Sequence, residues 1–82
     1  MRLKLINCKP SDLITMFRRL GGFSFHEGSK HTKVTHIATG KATIIARHSR
    51  VDPYIAKSIV NDFAIRDLGY EKDEVYRNLD CG

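Results

Sequence analysis

The sequence predicts an α+β domain with the element order α-β-β-β-α and a short helix at the end. Two observations predict it. Apolar residues recur at helical spacing in two stretches, around 13–20 and 55–63, and the stretch between them alternates in the manner of strands broken by short polar turns. The chain of 82 residues has room for one domain, 1–82, around one modest core. No repeat or low-complexity tract marks a second domain.

Pro10-Ser11-Asp12 opens the first helix, with Ser11 or a polar neighbour as cap and Asp12 in the first turn. Leu13, Met16, Phe17 and Leu20 then form one apolar stripe, and Gly21-Gly22 stops the helix, which covers about 11–20. Phe23 and Phe25 alternate with Ser24 and His26, a strand with its phenylalanines inward. Glu27-Gly28-Ser29-Lys30 is a turn, Thr32–Ile37 a β-branched strand, Ala38-Thr39-Gly40-Lys41 a second turn, and Ala42–Ala46 the third strand. Such short turns make an antiparallel meander. Asp52 caps the next helix with Pro53 at its first position. Ile55, Ala56, Ile59, Val60 and Phe63 form its buried face, and it fades near Leu68-Gly69. Asp73–Leu79 makes a last short helix with Val75 and Leu79 on one side, while residues 1–8 alternate only weakly. Two helices would cover one face of a three-stranded antiparallel sheet and leave the other face open.

Alternation along the second strand sends Val34 to the core together with Thr32 and His36, and turns His31, Lys33 and Thr35 to the open face. A four-residue turn at 27–30 places His26 across from His31, Phe25 across from Thr32 and Ser24 across from Lys33.

The formal net charge is +5. It is uneven, with 12 Lys+Arg against 5 Asp+Glu in residues 1–68, and 2 against 4 in residues 69–82. A basic body points to a polyanion, with nucleic acid first; the plain alternative is a solvated basic surface. No window is long and apolar enough to span a membrane, and Arg2, Lys4, Lys9 and Pro10 break any secretion-type apolar core, so a cytoplasmic protein is expected. Cys8 and Cys81 sit near opposite ends and can pair only if the termini meet; the expectation is free thiols.

The chemistry gathers in Gly28–His36, read as GSKHTKVTH. Imidazole changes charge near neutral pH and can move a proton in phosphodiester cleavage, while lysine ammonium groups hold phosphate. The plain alternative for His31 is a solvated surface histidine. His26, facing His31, is a candidate second acid or base; its own plain alternative is a solvated flank. A metal site is not expected. The parity separates His36 from His26 and His31, and no Cys-x-x-Cys or His-Glu-x-x-His spacing accompanies the four histidines, His48 included. His36 is expected to be half-buried and hydrogen-bonded, and Phe23 and Phe25 to belong to the core rather than to a base-stacking platform. No cofactor is implied.

Several segments, in order, resemble the HicA family of bacterial and archaeal toxins. They are "KPSDLITMFRRLGGF", "GSKH", "TIIARHS", "AKSIVNDF" and "LGYEKDEVYRNL". Each is short, and their order and spacing over about residues 10–79 carry the resemblance. It implies a double-stranded-RNA-binding-like fold and the toxin of a type II toxin-antitoxin system, a metal-independent endoribonuclease that cleaves mRNA and blocks translation. By the same resemblance His31 matches the catalytic histidine. Gly28 and Ser29 match the family turn, and Arg47 and His48 match a basic segment that positions RNA. Lys30 and Lys33 would join these on phosphates. A HicB-type antitoxin would be the protein partner, covering His31 and the basic face. Ala46 stands where the family commonly has proline. Two other readings fit the residues: a non-catalytic RNA-binding module of the same fold, and a subunit whose basic face docks an acidic protein.

Overall fold

A computed structural model describes residues 5, 8–47, 51–79 and 81. Its elements are α1 (Pro10–Leu20), β1 (Phe23–Glu27), β2 (His31–His36), β3 (Ala42–Ala46), α2 (Pro53–Lys57), a π-helical segment (Ser58–Asp67) and α3 (Lys72–Arg77). The sheet is antiparallel in the order β1-β2-β3. This is the expected α+β arrangement, with the helices packed on one face.

α1 begins one residue earlier than its stripe suggests. Lys9, not Ser11, holds the cap position, and its N–H donates to the Asp12 carboxylate at 2.9 Å. Asp12 therefore reaches back to satisfy an amide that proline at the first helical position leaves beside it. Leu13, Met16 and Phe17 are fully buried. At the far end Gly21 has φ +80, a backbone that side chains rarely adopt, and its N–H caps the Phe17 carbonyl at 3.1 Å.

The two hairpins follow the predicted alternation. Phe23 pairs with His36, Phe25 with Val34 and Glu27 with Thr32; Thr32 pairs in turn with Ile45 and Val34 with Thr43. Val34 and Ile45 are fully buried, and Phe23 and Phe25 pack against the core from its margin, as expected of core rather than stacking residues. Phe17 anchors the contact, with Phe23 edge-on at 4.8 Å between ring centroids and Phe63 edge-on at 5.9 Å. Thr32 is also fully buried, and its hydroxyl has no hydrogen-bond partner among the described residues. An unpaired buried hydroxyl of this kind costs about 1–3 kcal/mol.

The helix after Asp52 starts as predicted. The Asp52 carboxylate accepts from the Tyr54 N–H at 2.8 Å, and Pro53 follows it. Its winding then widens, so that Leu68 N–H reaches the Phe63 carbonyl five residues back at 3.0 Å. Ala56, Ile59, Val60, Phe63 and Ala64 are buried, but Ile55 is 52% exposed and Tyr54 80%. The predicted buried face is thus corrected at one position. The stripe runs through Ala56, and its immediate neighbour Ile55 is carried round to solvent.

At Gly69, with φ +83, the chain turns back toward α3. Val75 is buried on that last helix and Leu79 is buried too, as predicted, but the helix ends at Arg77, so Leu79 lies just beyond it. Tyr76 donates to the Asn61 side chain at 2.7 Å, and Arg19 donates to the Asn78 carbonyl at 3.3 Å, which ties the tail to the π-helical segment and to α1. Among the described residues no helix is long and apolar enough to cross a membrane.

The expectation of free thiols is overturned. Cys8 and Cys81 form a disulfide across a sequence separation of 73. The fold does bring Cys8 and Cys81 together: both lie in the buried core cluster with Leu79, and the Cys8 carbonyl accepts from Val51 N–H at 2.7 Å. No local signal in the chain predicts this, because it depends on where α3 delivers residue 81. A cross-link closing so long a loop restricts the unfolded chain strongly. The double variant Cys8→Ser/Cys81→Ser is expected to lose about 2–4 kcal/mol of stability, read as a lower urea midpoint than the oxidised wild type. Reduction of the wild type should reproduce the loss.

Candidate nucleic-acid interface

The turn between β1 and β2 is tighter than the sequence suggests, and this moves the histidines. Gly28 N–H donates to the His31 carbonyl at 2.8 Å, so Ser29 and Lys30 alone form the loop. Glu27 pairs with Thr32, and His26 with Lys33 rather than with His31. The slip is two residues, so every side chain keeps its predicted face. His26 and His31 become diagonal neighbours across the β1–β2 pair, on the order of 7–8 Å apart at Cα. Lys33 lies directly across from His26.

The open face can now be named by strand. β1 contributes Ser24 and His26, β2 contributes His31, Lys33 and Thr35, and β3 contributes Ala42, Ile44 and Ala46. His26, His31, Lys33 and the turn residues Gly28, Ser29 and Lys30 are exposed. One half of the face is therefore cationic and titratable, and the other is small and apolar. Ile44, 50% exposed, is the part that the sequence reading left out. The signal was present: in "TIIA" two adjacent isoleucines must point to opposite faces of a strand.

Arg47 is placed differently from its expected role. Its guanidinium donates to the Gly28 and Ser29 carbonyls, the latter at 2.8 Å, and lies 3.7 Å from the Glu27 carboxylate. Its own N–H donates to the Lys30 carbonyl at 2.9 Å. Arg47 shares the parity of Ile45, so it reaches round the end of the sheet and grips the turn. Glu27 is its counter-charge, a partner the sequence reading did not assign. The guanidinium is already committed to main-chain acceptors, which makes Arg47 a holder of the turn before it is a phosphate contact. His48, the other member of the expected basic segment, lies outside the described residues.

His36 is half-buried and hydrogen-bonded, as predicted. Its Nδ1 is 2.9 Å from the Thr39 hydroxyl, and its Nε2 is 3.4 Å from the Tyr70 hydroxyl. The Phe23 and Tyr70 rings pack against it at 5.2 and 5.9 Å. Burial, and then the nearby Glu74 carboxylate, push the Tyr70 phenol above its ordinary value. Tyr70 thus stays protonated through the neutral range as a donor toward His36 or the Gly21 carbonyl. His36 belongs to this structural cluster on the helix-covered side, away from His26 and His31. Among the described residues no three His, Cys, Asp or Glu side chains gather as a metal-ligand group.

Gly28 does not owe its place to backbone strain. Its φ lies outside the left-handed region, and a Cβ there would make only ordinary contact, 3.5 Å from the His31 carbonyl. The bare turn keeps the approach to His31 and Lys30 low.

Comparison of the chain with family models, with curated proteins and with solved structures returned no match.

Removing the Arg47 grip should loosen this turn specifically. Arg47→Ala is expected to speed exchange of the Gly28 amide several-fold and to cost about 1–2 kcal/mol, since two carbonyls lose a charged donor. Arg47→Lys should restore only part, because an ammonium lacks the planar fork. Hydrogen exchange followed residue by residue checks this, with an unchanged Gly28 amide counting against the grip.

Proposed function

We propose that the chain is a HicA-type toxin, an endoribonuclease that cleaves mRNA by proton transfer through histidine on the open sheet face. The observation that carries the reading is the exposed His31 beside Lys33, with His26 diagonal to it on the same face. The ordered sequence motifs add the family resemblance.

In this mechanism RNA lies across β1 and β2. Lys30 and Lys33 hold the phosphate and offset the charge that develops on it. His31 takes the proton of a ribose 2′-hydroxyl, whose oxygen attacks the adjacent phosphorus. The bond from phosphorus to the 5′-oxygen breaks, and that oxygen leaves with a proton from His26 or from water. The products are a 2′,3′-cyclic phosphate and a 5′-hydroxyl end. Imidazole proton transfer is sufficient for this step, so cleavage is expected to persist in the presence of a chelator. Ser29 and Gly28 shape the entry, Arg47 keeps the turn in place, and His48 is proposed as a further RNA contact on the strength of the resemblance. The reaction would run in the cytoplasm, where a HicB-type antitoxin would restrain it by covering His31 and the cationic half of the face. Phosphate contacts dominate this arrangement, so sequence preference should be weak and affinity should fall with salt.

His31→Ala is expected to lower cleavage by a factor of about 100 or more and to relieve growth arrest on induction, with the thermal midpoint unchanged because His31 is exposed. Folded His31→Ala protein that cleaves at the wild-type rate would refute the assignment. RNA binding by the wild type without any cleavage would favour the non-catalytic RNA-binding module.

The role of His26 is read from the pH profile. A base and an acid acting together give a bell. His26→Ala should remove one limb along with much of the rate. A wild-type profile in that variant would leave water, or Lys33, as the proton source.

A further inference from the structure

We propose that two copies of this chain associate edge to edge through β3, joining their sheets into one six-stranded sheet with a shared open face. β3 ends the sheet order and pairs only with β2 among the described residues. Two bonds show which way its main chain points. Arg47 N–H donates to the Lys30 carbonyl at 2.9 Å, and His36 N–H donates to the Lys41 carbonyl at 2.7 Å. Bonded and non-bonded pairs alternate along an antiparallel ladder. Lys41, Thr43, Ile45 and Arg47 therefore turn their main-chain groups toward β2, and Ala42, Ile44 and Ala46 turn theirs outward. No described residue supplies a main-chain partner to those outward groups.

Nothing on this edge discourages pairing. Exposed edges are ordinarily blunted by charge, proline or a bulge. Ala42–Ala46 reads Ala-Thr-Ile-Ile-Ala and carries none of these. The opposite edge, β1, carries His26 and Glu27, with the Arg18 guanidinium 5.5 Å from the Phe25 ring centre.

The outward row is also self-complementary. Antiparallel pairing about Ile44 sets Ile44 against Ile44 of the second copy and Ala42 against Ala46 of the second copy. Every outward N–H and carbonyl of the three residues then meets a partner. On the open face the half-exposed isoleucines cover each other, and small alanines flank them without a clash. The cations at the two ends, Lys41 and Arg47, are drawn back to their own chain. Lys41 donates to the Asp67 carbonyl at 3.2 Å, and Arg47 grips the β1–β2 turn. β3 itself has no charge that asks for an acidic partner, and a two-fold pairing of identical edges closes at two copies. His31 lies across from Ala46, so the two His31 side chains would stand roughly 20 Å apart on one platform, from the usual strand spacing and rise. This association does not depend on what chemistry the open face performs.

Sedimentation of the oxidised full chain over a concentration and salt series tests it. Twice the chain mass is expected to grow with concentration. It should also grow with salt, because copies of net charge +5 repel less when screened; RNA affinity would move the other way. Ile44→Cys should cross-link two copies on mild oxidation, since a bonded antiparallel pair sits about 5.5 Å apart at Cα, within disulfide reach. Ala42→Cys alone should not cross-link, whereas Ala42→Cys with Ala46→Cys should. Ala46→Pro removes only an outward N–H and is expected to give a folded monomer by circular dichroism and sedimentation; if it fails to fold, the cysteine variants still read the register. A monomer at the highest soluble concentration, or Ala42→Cys cross-linking as well as Ile44→Cys, would overturn the proposal.

Discussion

The hydrogen bond from Gly28 N–H to the His31 carbonyl sets the register from which most of this structure follows. It closes a loop of two residues and fixes which residue of β1 meets which residue of β2. A slip of one residue would turn Val34 and Thr32 to solvent and His31 and Lys33 into the core. The burial of Val34 against the α1 stripe makes such a slip costly, and a slip of two costs the turn its closure. Arg47 adds a second constraint from the far strand, by bonding the carbonyls that the tight loop leaves without strand partners. Side chains of three strands therefore agree on one alignment.

Because the register is fixed by groups outside the open face, that face is free to carry chemistry. Val34, Ile45, Phe17 and Val60 are fully buried on the other side and supply the apolar burial that holds the sheet to its helices. His26, His31 and Lys33 contribute little packing. Their substitution can be read as a test of function, which is unusual in a chain this small. The half-buried His36 shows the contrast. It has the same residue type on the same strand, yet lies in a ring cluster with Phe23 and Tyr70 and serves the packing of the tail.

The tail is held by several independent links: the Tyr76–Asn61 and Arg19–Asn78 hydrogen bonds, burial of Val75 and Leu79, and the Cys8–Cys81 disulfide. The disulfide joins Cys8 to Cys81 within the buried core cluster. A small domain gains most from such a link, because its core is modest and its unfolded chain has much freedom to lose.

Local chemistry determined the elements of this protein. The Pro10 and Pro53 starts, the Gly21-Gly22 stop and the change of period at Phe23 each act within a few residues, so the α-β-β-β-α order and the faces of the first two strands were legible, while the face of Ile44 went unread. The open-face position of His31 and Lys33 was legible too, because parity survives any slip of two. Tertiary structure decided what depends on distant partners. The exact pairing of His26 hinged on whether the turn held two residues or four; the Gly28–His31 bond closes it at two, braced by Arg47, nineteen positions from Gly28. The same contact took Arg47 from the list of free cations, which no local pattern could reveal. Ile55 faced outward because Ala56, not its larger neighbour, was taken into the buried core. The pairing of Cys8 with Cys81 required the whole fold to bring them together, since loop closure over 73 positions leaves no trace in the residues near either cysteine.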